Sequence, residues 1–262
     1  MFAVLSPAKK LDLTPLSPSH RAELTCTLPP LLHETEALLK ITRTLSPETI
    51  AQLMKLSAPL AQLNYERFQT FSLPFTPENA KPAALCFNGD TYLGLDAPTL
   101  ANAALEDAHS RVGILSGLYG ILRPLDLIQP YRLEMGTRLE NPRGSNLYHF
   151  WGTLIAEEIN HSLARASSPT LINLASNEYF KAVPQASVQG TIITPVFKEI
   201  KKNAPPKVIS FCAKRARGMM ARYMIDQQLT RPEDLKTFSV AGYGFDASLS
   251  SPTEWVFTRK ID

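Results

Sequence analysis

Four groups of polar residues follow apolar runs in the chain: Asn88-Gly89-Asp90, Arg123 with Asp126, Tyr131-Arg132-Leu133-Glu134, and Asn177-Glu178-Tyr179-Phe180-Lys181. The loops that leave buried strands are where α/β folds present functional side chains. Arginine and tyrosine suit phosphate or base recognition. Asp90, Asp126, Glu134 and Glu178 are candidate general acids or bases, with Tyr131 as a further catalytic candidate. Tyr131 or Tyr179 would offer a ring on which a base can stack. One reading is an enzyme acting on a nucleotide or on a base within nucleic acid. The other is a buried network of ion pairs and hydrogen bonds that fixes loops.

A second source of chemistry is the segment AKRARGMMARYMIDQQL, which begins at Ala213. At about 100° per residue, Lys214, Arg215, Arg217 and Arg222 share an arc of about 160° of a helix surface. Ala216, Met219, Met220, Tyr223 and Met224 take the opposite arc, and Ile225 departs from the pattern. Four clustered cations attract a polyanion and release its counterions on binding; an ordinary solvated helix face fits the same charges. The third source is LMKLSAPLAQLNYERF, two helices joined by a very short turn. Lys55 precedes the turn, Ser57 opens the second helix and Arg67 lies on it, so exposed N–H groups there can hold a phosphate oxygen. This is the pattern of a helix-hairpin-helix, which grips DNA through its backbone. Ser57-Ala58-Pro59-Leu60-Ala61 lacks the glycines usual in that hairpin, and a plain αα-hairpin fits equally.

Other chemistries lose support. GxSxG, GxxxxGK[ST] and GxGxxG are all missing, against nucleophile-elbow hydrolases, P-loop enzymes and Rossmann dehydrogenases. Cys26, Cys86 and Cys212 are isolated thiols, which argues for neither a disulfide framework nor a zinc site. His20, His33, His109, His149 and His161 show no metal-ligand spacing, so no metal and no cofactor is expected, and direct iron binding is disfavoured.

The elements that must position these groups follow from apolar period and punctuation. FAVL at 2–5 reads as a first strand broken by Ser6-Pro7, delivering Lys9 and Lys10 into a loop that continues to Pro30. Residues 31–45 suit a helix; Ser46-Pro47 starts a second that runs to about Leu56; Ser57-Ala58-Pro59 starts a third with Leu60, Leu63 and Phe68 on its apolar side. AALCFNGDTYLGL reads as a strand entering a loop, followed by a short helix from about Thr99 to Asp107. RVGILSG and TLINLAS read as buried strands ending in small polar residues, with a helix from Leu147 to Leu163 between them. GTIITPVF and KVISFCA add two β-rich runs, then come the basic helix and a last strand near EWVFTRK. Interleaved strands and helices predict a mixed α/β (α+β) fold with a mixed sheet: one domain over 1–262 carrying a helical subregion at about 31–70.

Composition agrees. Apolar residues make up 44% and charged residues 19%, which suits a globular protein with a sizeable core. No run approaches the roughly 20 apolar residues of a membrane span, and MFAVLSPAKK lacks a leader pattern, so a cytoplasmic location without membrane contact is expected. With 27 Lys and Arg against 24 Asp and Glu the net charge is only +3, so the distribution of charge matters more than its sum.

LSPAKKLD at 5–12, FNGDTYLGL at 87–95, LSGLYGILRPLDLIQPYRLEMG at 115–136, NLASNEYFKAV at 173–183 and AKRARGMMARY at 213–223 together resemble the YaaA family of bacterial peroxide-stress proteins. The resemblance implies a cytoplasmic protein that helps limit free intracellular iron and oxidative DNA damage. It also implies a family-specific single-domain α/β fold with a helix-hairpin-helix, which maps to Ser46 through Arg67, and a positively charged cleft that binds DNA. The cleft would draw on Lys9, Lys10, Arg123, Arg132, Lys181, Lys214, Arg215, Arg217 and Arg222. The expectation is thus a monomer that binds duplex or distorted DNA through phosphates with little sequence preference. Within the longest motif, Arg123 and Arg132 are expected as phosphate contacts ahead of Asp126 or Glu134 as catalysts.

Overall fold

β1 (Phe2–Leu5) is apolar and buried at every position, as befits a strand covered on both faces of a parallel sheet. β3 (Val112–Ser116) and β6 (Thr170–Leu174) are buried throughout as well and flank it in parallel: Ala3 pairs with Val112 on one side and with Ile172 on the other. The computed structural model describes residues 1–261 apart from 18, 20, 21, 77 and 203; His20 therefore lies outside the described residues. Beyond β6 come β7 (Thr191–Ile200), parallel to β6, and β9 (Glu254–Lys260), parallel to β7. The edges are closed by β4 (Gly120–Leu122) on β3 and β8 (Gly244–Phe245) on β9, both antiparallel and short, which leaves little unpaired edge to template association. The seven-stranded order is β4-β3-β1-β6-β7-β9-β8, and β2 (Lys81–Pro82) pairs with β5 (Leu127–Ile128) in a separate two-stranded ribbon. The fold is thus mixed α/β with a mixed sheet, in line with the sequence reading.

The helical subregion holds three helices: α1 (Leu32–Thr42), α2 (Pro47–Met54) and α3 (Ala58–Thr70). Ser46 caps α2 by accepting from the Thr49 N–H at 3.2 Å. The α2–α3 turn runs through Lys55 at φ +53°, a left-handed position usually given to glycine. The face expected for α3 is rotated. Ala61, Asn64 and Phe68 are buried, whereas Leu60 and Leu63 stay exposed, because spacings of three and four from Ala61 define the stripe that meets the core.

Two expected strands are helices. Within AALCFNGDTYLGL, α4 (Ala83–Cys86) and α5 (Asp90–Leu95) replace the strand, and KVISFCA supplies the start of α10 (Ser210–Asp226). Tertiary packing overrides local preference here. A Cβ on Gly94 would lie 2.1 Å from the Arg215 carbonyl oxygen and one on Gly218 would lie 1.8 Å from the Thr91 carbonyl oxygen, so α5 and α10 touch backbone to backbone. The remaining helices are α6 (Asn102–Arg111), α7 (Leu147–Trp151), α8 (Leu154–Arg165) and α9 (Asn177–Phe180). The helix expected over 147–163 breaks at Gly152, whose φ of +48° lies outside the helical region and separates α7 from α8.

Candidate functional site

From β1 the chain crosses to β3 on one side, while β6 lies on the other, so the loops leaving β1 and β6 diverge. In an open parallel sheet such a switch in strand order opens a crevice at the carboxyl ends of the strands. A cleft of about 680 Å³ occupies that place, lined by Ser6 to Lys10, Asn88 to Thr91, Glu134, Ser176 to Tyr179, Lys214 and Arg217. Its floor is stitched across the switch. Ser6 Oγ accepts from the Ser176 N–H at 2.9 Å and donates to Ser176 Oγ at 3.3 Å, and Tyr92 Oη donates to the Ser6 carbonyl at 3.0 Å.

One wall is the segment after β4. A Cβ on Gly117 would sit 2.2 Å from the Leu133 carbonyl oxygen, so the absence of a side chain lets residues 131–136 lie across the end of β3. Glu134 Oε1 receives Arg132 Nε at 3.0 Å and Lys9 Nζ at 3.2 Å, while its Oε2 is buried with no hydrogen-bond partner. Glu178 Oε1 accepts from the Gly136 N–H at 3.0 Å, tying the loop after β6 to the same wall. Tyr131 is buried, bonded to Ser116 Oγ at 2.6 Å and packed edge-on against Tyr119, and burial pushes its phenol pKa up. Tyr179 is buried too and its phenol is raised for the same reason, so neither ring has an exposed face for a base. That corrects the stacking role expected of them.

The opposite wall is α5 with α10. Asp90, in the first turn of α5, and Arg217 on α10 are half-buried; neither side chain has a hydrogen bond or ion pair to any described residue. Burial holds the Arg217 pKa below the ordinary arginine value. Lys214 and Lys10 are exposed beside them, also unpaired among the described residues. Arg67 of α3 is a further half-buried, unpaired cation, its pKa lowered by burial and by the positive charge of Arg132.

Other expected residues lie elsewhere. Arg123 Nη2 holds the fully buried Asp126 at 3.0 Å, and Thr27 donates to the same carboxylate at 2.5 Å. Arg123 borders a separate hollow with Met1 and Phe2, at the amino-terminal end of β1 and so across the sheet from the cleft. Arg222 is spent on structure, bonding Asp226 at 2.8 Å, the Asp96 carbonyl at 2.9 Å and Thr99 Oγ1 at 2.7 Å. The basic stripe of α10 is therefore divided: Lys214 and Arg217 face the cleft, Arg222 braces the turn after α5, and Arg215 is exposed outside the cleft lining. Lys181 rests 4.9 Å above the Tyr148 ring. Lys55 and Ser57 sit at the exposed α2–α3 turn, about 15 Å along α3 from Arg67 at 1.5 Å per residue. Ser6 and Ser176 line the cleft but were not named as site residues from the sequence; the signal was a small polar residue just after an apolar strand.

The family model described as peroxide stress protein YaaA matches residues 1–249. The chain belongs to that family. A UPF0246 protein of Magnetococcus marinus is 55% identical over 259 residues, 99% of each chain. Similar proteins from Idiomarina loihiensis and Neisseria meningitidis are each 51% identical over 259 residues, covering 99% of this chain and 98% of theirs. The YaaA family is one of peroxide stress, and the five motifs that carry the resemblance supply much of the cleft: Ser6 to Lys10, Asn88 to Thr91, Glu134, Ser176 to Tyr179, Lys214 and Arg217. No group of three or more His, Cys, Asp or Glu able to hold a metal ion occurs among the described residues. No helix among them is long and apolar enough to cross a membrane.

Proposed function

We propose that this member of the YaaA family is a cytoplasmic, monomeric DNA-binding protein, acting as one domain. It contacts duplex or distorted DNA through phosphates with little sequence preference, and so helps limit oxidative DNA damage and free iron under peroxide stress. The observation that carries the reading is Arg217, a half-buried guanidinium with no counterion among the described residues, beside Lys214 and Lys10 in one cleft. A cation held that way favours an anionic partner, and a row of them favours a polyanion. The helical hairpin adds a second contact through Lys55 and the free N–H groups after Ser57, with Arg67 further along the same helix.

Fluorescence anisotropy of a short mixed-sequence duplex, measured across a salt series, tests it. Three phosphates neutralised by Lys10, Lys214 and Arg217 predict a slope of log K against log salt of about −2.7. Lys10→Glu with Lys214→Glu lowers affinity by more than about tenfold and flattens the slope by about 1.8. Equal affinity and equal slope for wild type and variant would remove the cleft from the account.

A further inference from the structure

A groove meant only for a sugar-phosphate backbone has no use for carboxylates, yet this cleft holds three: Glu178, engaged by the Gly136 N–H, and two more, Asp90 and Glu134. Asp90 is half-buried and its side chain has no hydrogen bond or ion pair to any described residue. Glu134 carries a buried oxygen, Oε2, without a partner. Its Oε1 is covered by Lys9, whose side chain is 68% exposed. An ion pair so exposed is worth at most about 1 kcal/mol, so Lys9 can leave Glu134 for an incoming phosphate and open Oε1 on that side, while Arg132 continues to hold the same oxygen. Asp90 and Glu134 both repel phosphate and accept from N–H or O–H donors, while Arg217 and Lys214 on α10 attract an anion. An occupant that satisfies the whole cleft bears an anionic group at one end and hydrogen-bond donors at the other. The volume of about 680 Å³ is that of a small-molecule site and is far below what a duplex needs.

We propose that the cleft seats one unpaired nucleotide, its phosphate on Arg217 and Lys214 and its sugar or base donating to Asp90 and Glu134. The nucleotide is either free or swung out of a DNA strand lying across the cleft mouth. Only the second form rests on the DNA-binding reading. Extrusion costs least at a mismatched or damaged position, which would direct the protein to such positions without any reading of sequence. Tyr131 and Tyr179 are buried, so recognition here runs through hydrogen bonds and charge rather than through stacking.

Calorimetric titration with the four deoxynucleoside 5′-monophosphates and with inorganic phosphate tests the site. At least one nucleotide is expected to bind about tenfold or more tighter than phosphate. Asp90→Asn and Glu134→Gln, each checked for an unchanged melting curve, discriminate by sign. In a plain anion groove both changes tighten every anion. In a nucleotide pocket they tighten phosphate but weaken the nucleotide by about fivefold or more. Duplexes carrying 2-aminopurine at a paired or an unpaired position supply the polymeric arm. Brightening at the unpaired position on binding supports extrusion. Tight duplex binding with no brightening and no preference for nucleotide over phosphate overturns the pocket and leaves the DNA reading intact. Nucleotide binding without duplex binding overturns the DNA reading and keeps the pocket.

Discussion

Arg217 and Arg222 stand on the same helix five residues apart, and only their partners distinguish them. Arg222 is anchored on Asp226, Leu95, Asp96 and Thr99, whereas the Arg217 side chain has no partner among the described residues and pays for its burial unassisted. Replacing it with an apolar side chain of similar length removes that cost. Arg217→Met is therefore expected to raise the melting temperature, by about 1 kcal/mol of stability, while weakening duplex binding; a lowered melting temperature with normal binding would show a structural arginine instead. His109 makes a second prediction at this scale. Its Nδ1 accepts from the Leu125 N–H at 3.2 Å, a bond available only to the neutral ring, and burial followed by the charge of Arg123 lowers its pKa. Because the folded value lies below the ordinary one of 6.5, the unfolded chain takes up the proton first as pH falls. Stability from this group is complete above about pH 6.5 and is lost on acidification toward the folded pKa. Melting curves at stepped pH values should fall through that window in wild type and fall less in His109→Gln. At the residue scale the sequence named most of the cleft's charges, since polar groups after apolar runs are visible in one dimension. It could not separate Arg217 from Arg222, or the cleft's Glu134 from the Asp126 that holds Arg123 on the far side of the sheet, because only tertiary partners do so.

The pair α5 and α10 explains both what was legible among the elements and what was not. β1, β3 and β6 were readable because strands covered on both faces are largely apolar, and β9, buried only over Trp255 to Phe257, was read from EWVFTRK, which matches its strand residue for residue. DTYLGL and KVISFC carry strand-prone residues, yet the first is helical and the second enters α10 at Ser210; the two helices approach backbone to backbone at Gly94 and Gly218. That contact builds one wall of the cleft, holding Asp90 of α5 beside Lys214 and Arg217 of α10. Gly218→Ala puts a methyl group 1.8 Å from a carbonyl oxygen that has no room to retreat. A loss of about 3 kcal/mol is expected in denaturant melts, together with loss of the cleft's ligand binding. A fully stable Gly218→Ala protein would mean that the two helices do not meet there.

At the scale of the molecule, the strand order decides what the cleft contains. A net charge of +3 gives no hint of a polyanion site, and the sequence reading spread its expected cations over nearly the whole chain. The topology gathers Lys9, Lys10, Lys214 and Arg217 at one end of the sheet and leaves Arg123 at the other. The hydrogen bonds between Ser6 and Ser176 join positions 170 residues apart, and the opposite wall comes from α10, later still. Chains fold from the N-terminus as they leave the ribosome. β1 and β3 can pair early, but no nascent chain shorter than α10 owns a finished cleft. A polypeptide interrupted before that helix therefore cannot form this site on nucleic acid near the ribosome, and occupancy of the cleft is reserved for chains translated past it.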